Sequence, residues 1–278
     1  MSAAQAVAVG AAAPPPVEQG SDKPSPTDAI TAADPLLLAD SALQGRRLFE
    51  AQMYLDRLAA DPRPDALLLR AELALLQGRP HTTLALLALP GADATPACRA
   101  GAAAAMALLQ IEQTGQAQAR SEALDSRCSA DAFHWRARGR IAYAMGDVRA
   151  ATDAFRRALA LRPSDRGTEN DLAVSLIATG DAEQAAMILA ELLRHAPESG
   201  DVSLNLDFAN AMRGIEPVRR SQDDDRQWSV RLETAGQGAR QAGRIKLAES
   251  LLARAVIHRP RHDHGLWQQY AEVAGRDD

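Results

Sequence analysis

From about residue 34 onward, small and large apolar residues alternate with charged ones at helical spacing, and the stretch 132–165, AFHWRARGRIAYAMGDVRAATDAFRRALALRPSD, states the underlying unit most fully. It predicts a helix, a turn, a second helix and a stop. Gly139 and Ala151 are small where the two helices would cross, so the backbones can approach, while Trp135 and Phe155 fill the wider gaps at the ends of the contact. Gly146 falls just after the first helix, where a left-handed terminal conformation costs glycine least, and Asp147 is positioned to cap the second helix. Pro163 ends the unit because it cannot continue a helix.

Turn glycines equivalent to Gly146 recur at Gly45, Gly78, Gly115, Gly180, Gly214 and Gly243, with successive spacings of 33, 37, 31, 34, 34 and 29 residues. Each sits between a long helical phrase and an amphipathic one, which predicts six or seven stacked helical hairpins over 34–278. Units 132–165, 166–199 and 229–262 keep the register best. The second of these has Leu172, Ala173, Gly180, Ala185, Leu189 and Pro197 in place; the third has Gly236, Gly243, Ala248, Leu252, Ala255 and Pro260. Earlier units read as degenerate: Glu50, Thr83 and Arg120 stand where a small residue is expected, although the first unit keeps Tyr54 and Pro62. After Gly214 the segment IEPVRRSQDDDRQW has no clear second helix, so the array is expected to be interrupted there, with Asp223–Asp225 in a flexible acidic loop. Residues 265–275 read as a closing helix in which Leu266, Trp267, Tyr270 and Val273 cover the exposed end. Residues 1–33, rich in Ala, Pro, Ser and Gly without periodicity, predict a disordered leader.

The 34-residue unit, with Trp135, Gly139, Gly146, Ala151, Phe155, Ala158 and Pro163 at positions 4, 8, 15, 20, 24, 27 and 32, resembles the tetratricopeptide repeat. The resemblance implies an all-α, right-handed α-solenoid that works by presenting a stacked helical surface to a partner. In that family the first helix of each hairpin lines a concave face, with positions 2, 5, 9 and 12 pointing into it. Here these are Phe133, Arg136, Arg140 and Tyr143, a stripe suited to holding an extended peptide by stacking and by hydrogen bonds to its carbonyls or carboxylates. Asn170 and Asn205 in the following units add amide contacts to a peptide backbone. The alternative is that the arginines pair with nearby acids and Phe133 packs between repeats. Arg136 and Arg140 stand where the family's best-known peptide clamp has lysine and asparagine, so that clamp is not reproduced. A weaker resemblance, in the Ala-Leu-Arg-rich style and the phrase LAVSLIATGDAEQAAMILAELL, is to repeat proteins that help assemble bacterial Tad-type pili.

Composition fits an extended helical array: aromatics are only 4%, so Ala and Leu must be buried over many small contacts. The 31 basic and 36 acidic side chains are interspersed, for a net charge of -5, which gives no field to draw nucleic acid or an anionic membrane. No apolar run reaches the roughly 18–20 residues of a spanning helix. The piece AVAVGAAA is a poor export signal because it is short and no basic residue precedes it. The expected location is therefore the cytoplasm, or the periplasm or outer membrane if a signal lies upstream.

Convergent chemistry is not expected. His262-Asp263-His264 falls in an inter-repeat turn where Asp263 would cap the next helix, and phosphate-loop or nucleophile-turn motifs do not occur. Neither an enzyme activity, a metal nor a cofactor is predicted. Cys98 and Cys128 lie near the starts of the first helices of consecutive hairpins, a placement compatible either with a bridge or with two separate buried side chains. The function expected is protein or peptide binding in the concave groove, with assembly of a bacterial pilus or secretion system as its setting. The rivals are self-association through exposed apolar ends and a general cytoplasmic adaptor or co-chaperone role.

Overall fold

A computed structural model describes residues 34–58, 63–89, 97–197 and 199–275; the expected leader 1–33 and Pro62 lie outside them. Every regular element among the described residues is a helix. Helices α1 (Pro35–Gln44) and α2 (Leu48–Arg57) form the first hairpin, α3 (Pro64–Leu76) and α4 (Pro80–Leu87) the second, and α5 (Ala97–Gln110) and α6 (Thr114–Glu122) the third. They are followed by α7 (Ala132–Ala144) with α8 (Val148–Leu161), and by α9 (Arg166–Thr179) with α10 (Ala182–His195). Helix α11 (Gly200–Met212) has no second helix of its own; α12 (Asp225–Gln241) and α13 (Ile245–His258) make the last hairpin, and α14 (His264–Ala274) closes the array. The result is an α-solenoid whose first helices touch from hairpin to hairpin, α1–α3–α5–α7–α9–α11, while the second helices make no comparable contact among the described residues. The first helices therefore line the inner side.

A left-handed turn residue sets the period, and it is not always glycine. Gly78, Gly146, Gly180, Gly214 and Gly243 have positive φ, but in the first and third units that conformation belongs to Arg46 (φ 55°) and Glu112 (φ 62°). Gly45 and Gly115 are thus corrected as turn residues; Gly115 lies inside the first turn of α6. With Glu112 in its place, the turns at 78, 112, 146, 180 and 214 follow one another at strict 34-residue intervals. Five residues after six of these seven turns comes a side chain with no exposed surface: Ala51, Thr83, Ala117, Ala151, Ala185 and Ala248; the exception is Gly214, where exposed Arg219 stands. Glu50 and Arg120, which made those units look degenerate, simply neighbour the crossing and point outward. Thr83 fits because its hydroxyl donates to the Ala71 carbonyl at 3.0 Å.

The crossings are as tight as the small residues suggest. A Cβ added to Gly139 would stand 2.4 Å from Phe155 Cε1, and one on Gly236 would stand 2.8 Å from Leu252 Cγ. Aspartates start the helices: the carboxylates of Asp131, Asp147, Asp165, Asp181 and Asp263 each accept an amide N–H from the first turn that follows. The core is a string of clusters in place of one centre, the two largest running from Ala151 to Ala209 and from Ala211 to Val273. That is what stacking only with neighbours produces.

After Gly214 the loop that replaces a second helix is pinned by charge. Arg231 on α12 donates from Nε and Nη2 to the two oxygens of Asp207 at 2.7 and 3.0 Å, and from Nη1 to Asp223 at 2.6 Å and to the Val218 carbonyl at 3.0 Å. Arg220 donates to the Ser203 hydroxyl at 2.7 Å, and Arg254 to Glu216 at 2.6 Å. Asp224 forms a capping box with Gln227, and Asp225 pairs with Arg219 at 2.8 Å. The expectation of a loosely held acidic loop is corrected: each of the three aspartates has a structural partner. At the other end Leu266 and Val273 are buried against the last hairpin, but Trp267 does not cover it and stays 45% exposed.

Cys98 and Cys128 are joined, with their Cα atoms 5.5 Å apart. The bridge ties the start of α5 to the turn before α7. No helix among the described residues is long and apolar enough to cross a membrane.

Candidate functional site

The inner face is built from equivalent positions on successive first helices. Asp40, Glu72, Arg140, Phe208 and Gln237 each lie six residues before a left-handed turn residue, so they occupy the same place in five units. Their charges change along the array. In the first half Glu72 receives Arg99 Nε at 2.5 Å and Nη2 at 2.6 Å, and Asp40 receives the same guanidinium at 2.5 Å. Burial pushes the Glu72 carboxyl above its ordinary range in spite of Arg99. Arg99 in turn lies over the Phe133 ring at 4.5 Å, and Arg162 lies 4.6 Å from the same ring centre. Phe133 is thus a platform between two guanidinium groups.

One turn further along α7, Arg136 donates to Asp171 at 2.8 Å, with Asp165 at 3.9 Å. Its guanidinium crosses the start of α9 where only a glycine leaves room: a Cβ on Gly167 would meet Arg136 Nη2 at 2.5 Å. Burial works against this charge, but Asp171 and Asp165 outweigh it and hold the Arg136 pKa above its usual value.

Arg140 differs. It lies on the same face of α7 near Asp171, but Arg136 has taken that carboxylate, and neither an ion pair nor a hydrogen bond reaches the Arg140 guanidinium among the described residues. Burial lowers its pKa and outweighs the attraction of Asp171, and repulsion by Arg136 and Arg46 acts in the same direction as burial. A partly enclosed cation without a counter-ion is what remains. Tyr143, one turn on, is 38% exposed. Asn170 and Asn205 meet across α9 and α11, the Asn205 amide donating to Asn170 Oδ1 at 3.1 Å.

The six side chains singled out from the sequence therefore lie on one face spanning α7, α9 and α11, with Arg136 and Phe133 already engaged and Arg140 and Tyr143 open. Sequence reasoning missed Asp40, Glu72 and Arg99, because the first and third units were read one and three residues out of register and the inner-face positions were not counted through the early units. It also missed Phe208, Gln237 and Arg240, which the same counting finds once applied beyond the interruption. His262 leans on Trp267 with ring centres 6.3 Å apart, and Asp263 accepts the Leu266 amide at 3.1 Å. Among the described residues no group of three or more His, Cys, Asp or Glu side chains could hold a metal ion.

Comparison with known proteins bears on the repeat fold. A family model described as tetratricopeptide repeat matches residues 142–206, which run from the end of α7 into α11. No curated protein matches the sequence. Among solved structures, a chain of the APC/C hetero-tetramer Cut9–Hcn1 is similar over 90% of this chain and 51% of its own length, at 15% identity and a TM-score of 0.61. This chain thus spans about half of that neighbour, and the likeness is one of fold. A tetratricopeptide repeat protein from Parabacteroides merdae ATCC 43184 is 12% identical over 86% of this chain and 97% of its own, at a TM-score of 0.44.

Proposed function

We propose that this chain of tetratricopeptide repeats is a non-enzymatic scaffold that holds a segment of a partner protein along its inner face, with the Arg140 guanidinium anchoring an acidic group of that segment. The observation that carries the reading is the state of Arg140, a partly enclosed cation on the same helix face as Arg136 that no ion pair or hydrogen bond reaches among the described residues, because Asp171 is bonded to Arg136. An incoming carboxylate gains charge-assisted hydrogen bonds there and relieves an uncompensated charge. Arg136, held by Asp171, fixes the geometry of the neighbouring site; Phe133 holds Arg99 and Arg162 beside it, Tyr143 offers a ring face, and the Asn170–Asn205 pair offers amides to a peptide backbone.

The reading extends to assembly of a bacterial pilus or secretion system outside the cytoplasm. The Ala-Leu-Arg-rich repeats support it, and the Cys98–Cys128 bridge suits an oxidising compartment. The test is a pull-down from the native cell with the wild-type chain, Arg140→Ala, and the Arg136→Ala/Arg140→Ala pair, with bound proteins identified by mass spectrometry and affinities then measured. The double variant should weaken binding by about 1–3 kcal/mol. Unchanged affinity would remove the arginines from the site.

Self-association is the second reading, and one observation favours it: Leu37, Phe49 and Met53 on the first hairpin are 70, 79 and 43% exposed. Concentration-dependent sedimentation lost in Phe49→Glu would support it, whereas a monomer at all concentrations would reject it.

A further inference from the structure

The interruption after Gly214 does more than shorten the array. Because α11 has no second helix, α12 packs directly on it, and so closely that a Cβ on Gly238 would stand 2.4 Å from the Phe208 carbonyl oxygen. Beside this contact an open cleft of about 410 Å³ is lined by Phe208, Gln237, Arg240 and Gln241. Phe208 and Gln237 occupy the position held in α7 by Arg140, and Arg240 the one held by Tyr143. The cleft thus belongs to the inner face, some three first helices away from Arg140.

Its chemistry is specific. Among the described residues Arg240 is the one charged group in the lining, with the carboxamides of Gln237 and Gln241 beside it. Gln237 is oriented by donating to Gln269 at 2.9 Å, and Gln269 by donating to Glu233 at 3.1 Å. Arg240 makes one hydrogen bond to Glu272, at 3.2 Å, and the two side chains are 35 and 50% exposed. Such a half-exposed, single-contact pair contributes little and leaves most of the guanidinium donors unused. One cation is too few to bind a dianionic phosphate tightly, but a carboxylate matches the free edge of the guanidinium. The carboxamide of Gln241 can donate to the same group.

We propose that this cleft is a second anchor on the inner face, and that it takes the carboxylate of a glutamate or aspartate side chain in the bound segment. The proposal rests on the inner face being the binding surface, and it names the partner class more closely: an extended segment with acidic residues at two separated places. Glu272 acts as an internal occupant that the ligand carboxylate displaces or joins.

The experiment uses the full chain and a short fluorescent peptide alternating glutamate with alanine, with a glutamine-for-glutamate peptide as control, read by anisotropy at low salt. Arg240→Gln should weaken the acidic peptide about tenfold, and Glu272→Gln should tighten it, since an internal competitor is removed. A folding defect would not produce that gain. Equal affinity for the two peptides, or unchanged binding in both Arg240→Gln and Glu272→Gln, would overturn the proposal. If Arg140→Gln weakens the peptide while the two cleft variants do not, the cleft is refuted and the scaffold reading stands. If Arg240→Gln and Glu272→Gln behave as stated while Arg140→Gln is silent, the cleft stands and Arg140 is not its companion anchor.

Discussion

Replacing Arg231 with leucine should expose how the interrupted unit is held. The guanidinium makes four hydrogen bonds, three of them to the carboxylates of Asp207 and Asp223, and the three side chains are 9, 7 and 8% exposed. Removing one partner of a buried ion pair costs about 3–5 kcal/mol, because the remaining charge is left without compensation. Summing the individual charged bonds would exceed that range, but the stranded carboxylates can escape part of the cost by taking up protons. The pH dependence follows from the two acids. Burial raises Asp207 above the ordinary carboxylate range despite Arg231. Burial also opposes the charge of Asp223, but the Arg220 amide and the Arg231 guanidinium outweigh it and hold Asp223 below that range. In the wild type, Asp223 therefore contributes stability that is present above the unfolded value of about 3.9 and lost as pH falls through its folded pKa. Asp207 has the opposite sign, and its contribution is lost as pH rises through its folded pKa. Without Arg231 both acids favour the neutral form, so the deficit should be largest near pH 7 and shrink below about pH 4. Urea unfolding followed by circular dichroism measures the deficit, and amide hydrogen exchange over 215–224 locates it. A deficit under about 1 kcal/mol, one independent of pH, or unchanged exchange in that loop would refute the reasoning.

Three further outcomes follow from the geometry. Gly139→Ala places a Cβ 2.4 Å from the buried Phe155 ring; overpacking of about 1–3 kcal/mol should outweigh a helix-propensity gain of about 1 kcal/mol, and a rise in thermal midpoint would contradict the tight crossing. His134 is fully buried, and burial holds its pKa below the ordinary value, with Arg138 acting the same way and Asp125, 3.0 Å away, and Asp131 opposing. Its contribution is present above the unfolded value of about 6.5 and lost as pH falls through the folded pKa, so stability should fall over that window in the wild type and less so in His134→Leu; parallel pH profiles would reject this. The bridge between Cys98 and Cys128 spans 30 residues, so its reduction should cost about 3.6 kcal/mol in urea unfolding, and thiol labelling of the denatured, unreduced chain should find neither cysteine free.

The hairpin plan was legible from Gly146, Gly180, Ala151, Ala185 and their neighbours because the crossing and the turn each impose a residue type. It blurred where that coupling loosens. Arg46 and Glu112 adopt the left-handed turn although neither is glycine, and the nearby Gly45 and Gly115 drew the register off by one and three residues. A side-chain pattern cannot show a backbone conformation that a non-glycine residue has accepted. The site was legible as a face but not as a balance of charge. Spacing alone put Arg136 and Arg140 side by side; only the fold shows that Asp171 neutralises the first and leaves the second. The Asp207–Arg231–Asp223 cluster was illegible for the same reason, since its members come from α11, a loop and α12.

The most direct test of the inner-face account is site-specific photocrosslinking in the native cell. A photoreactive phenylalanine replaces Tyr143, beside Arg140, in one strain, and the outward-facing Arg156 on α8, 55% exposed in its side chain, in another. The account predicts a crosslinked partner from position 143 that is lost when Arg140→Ala is added, and none from position 156. A partner captured from 156 and not from 143 would contradict it.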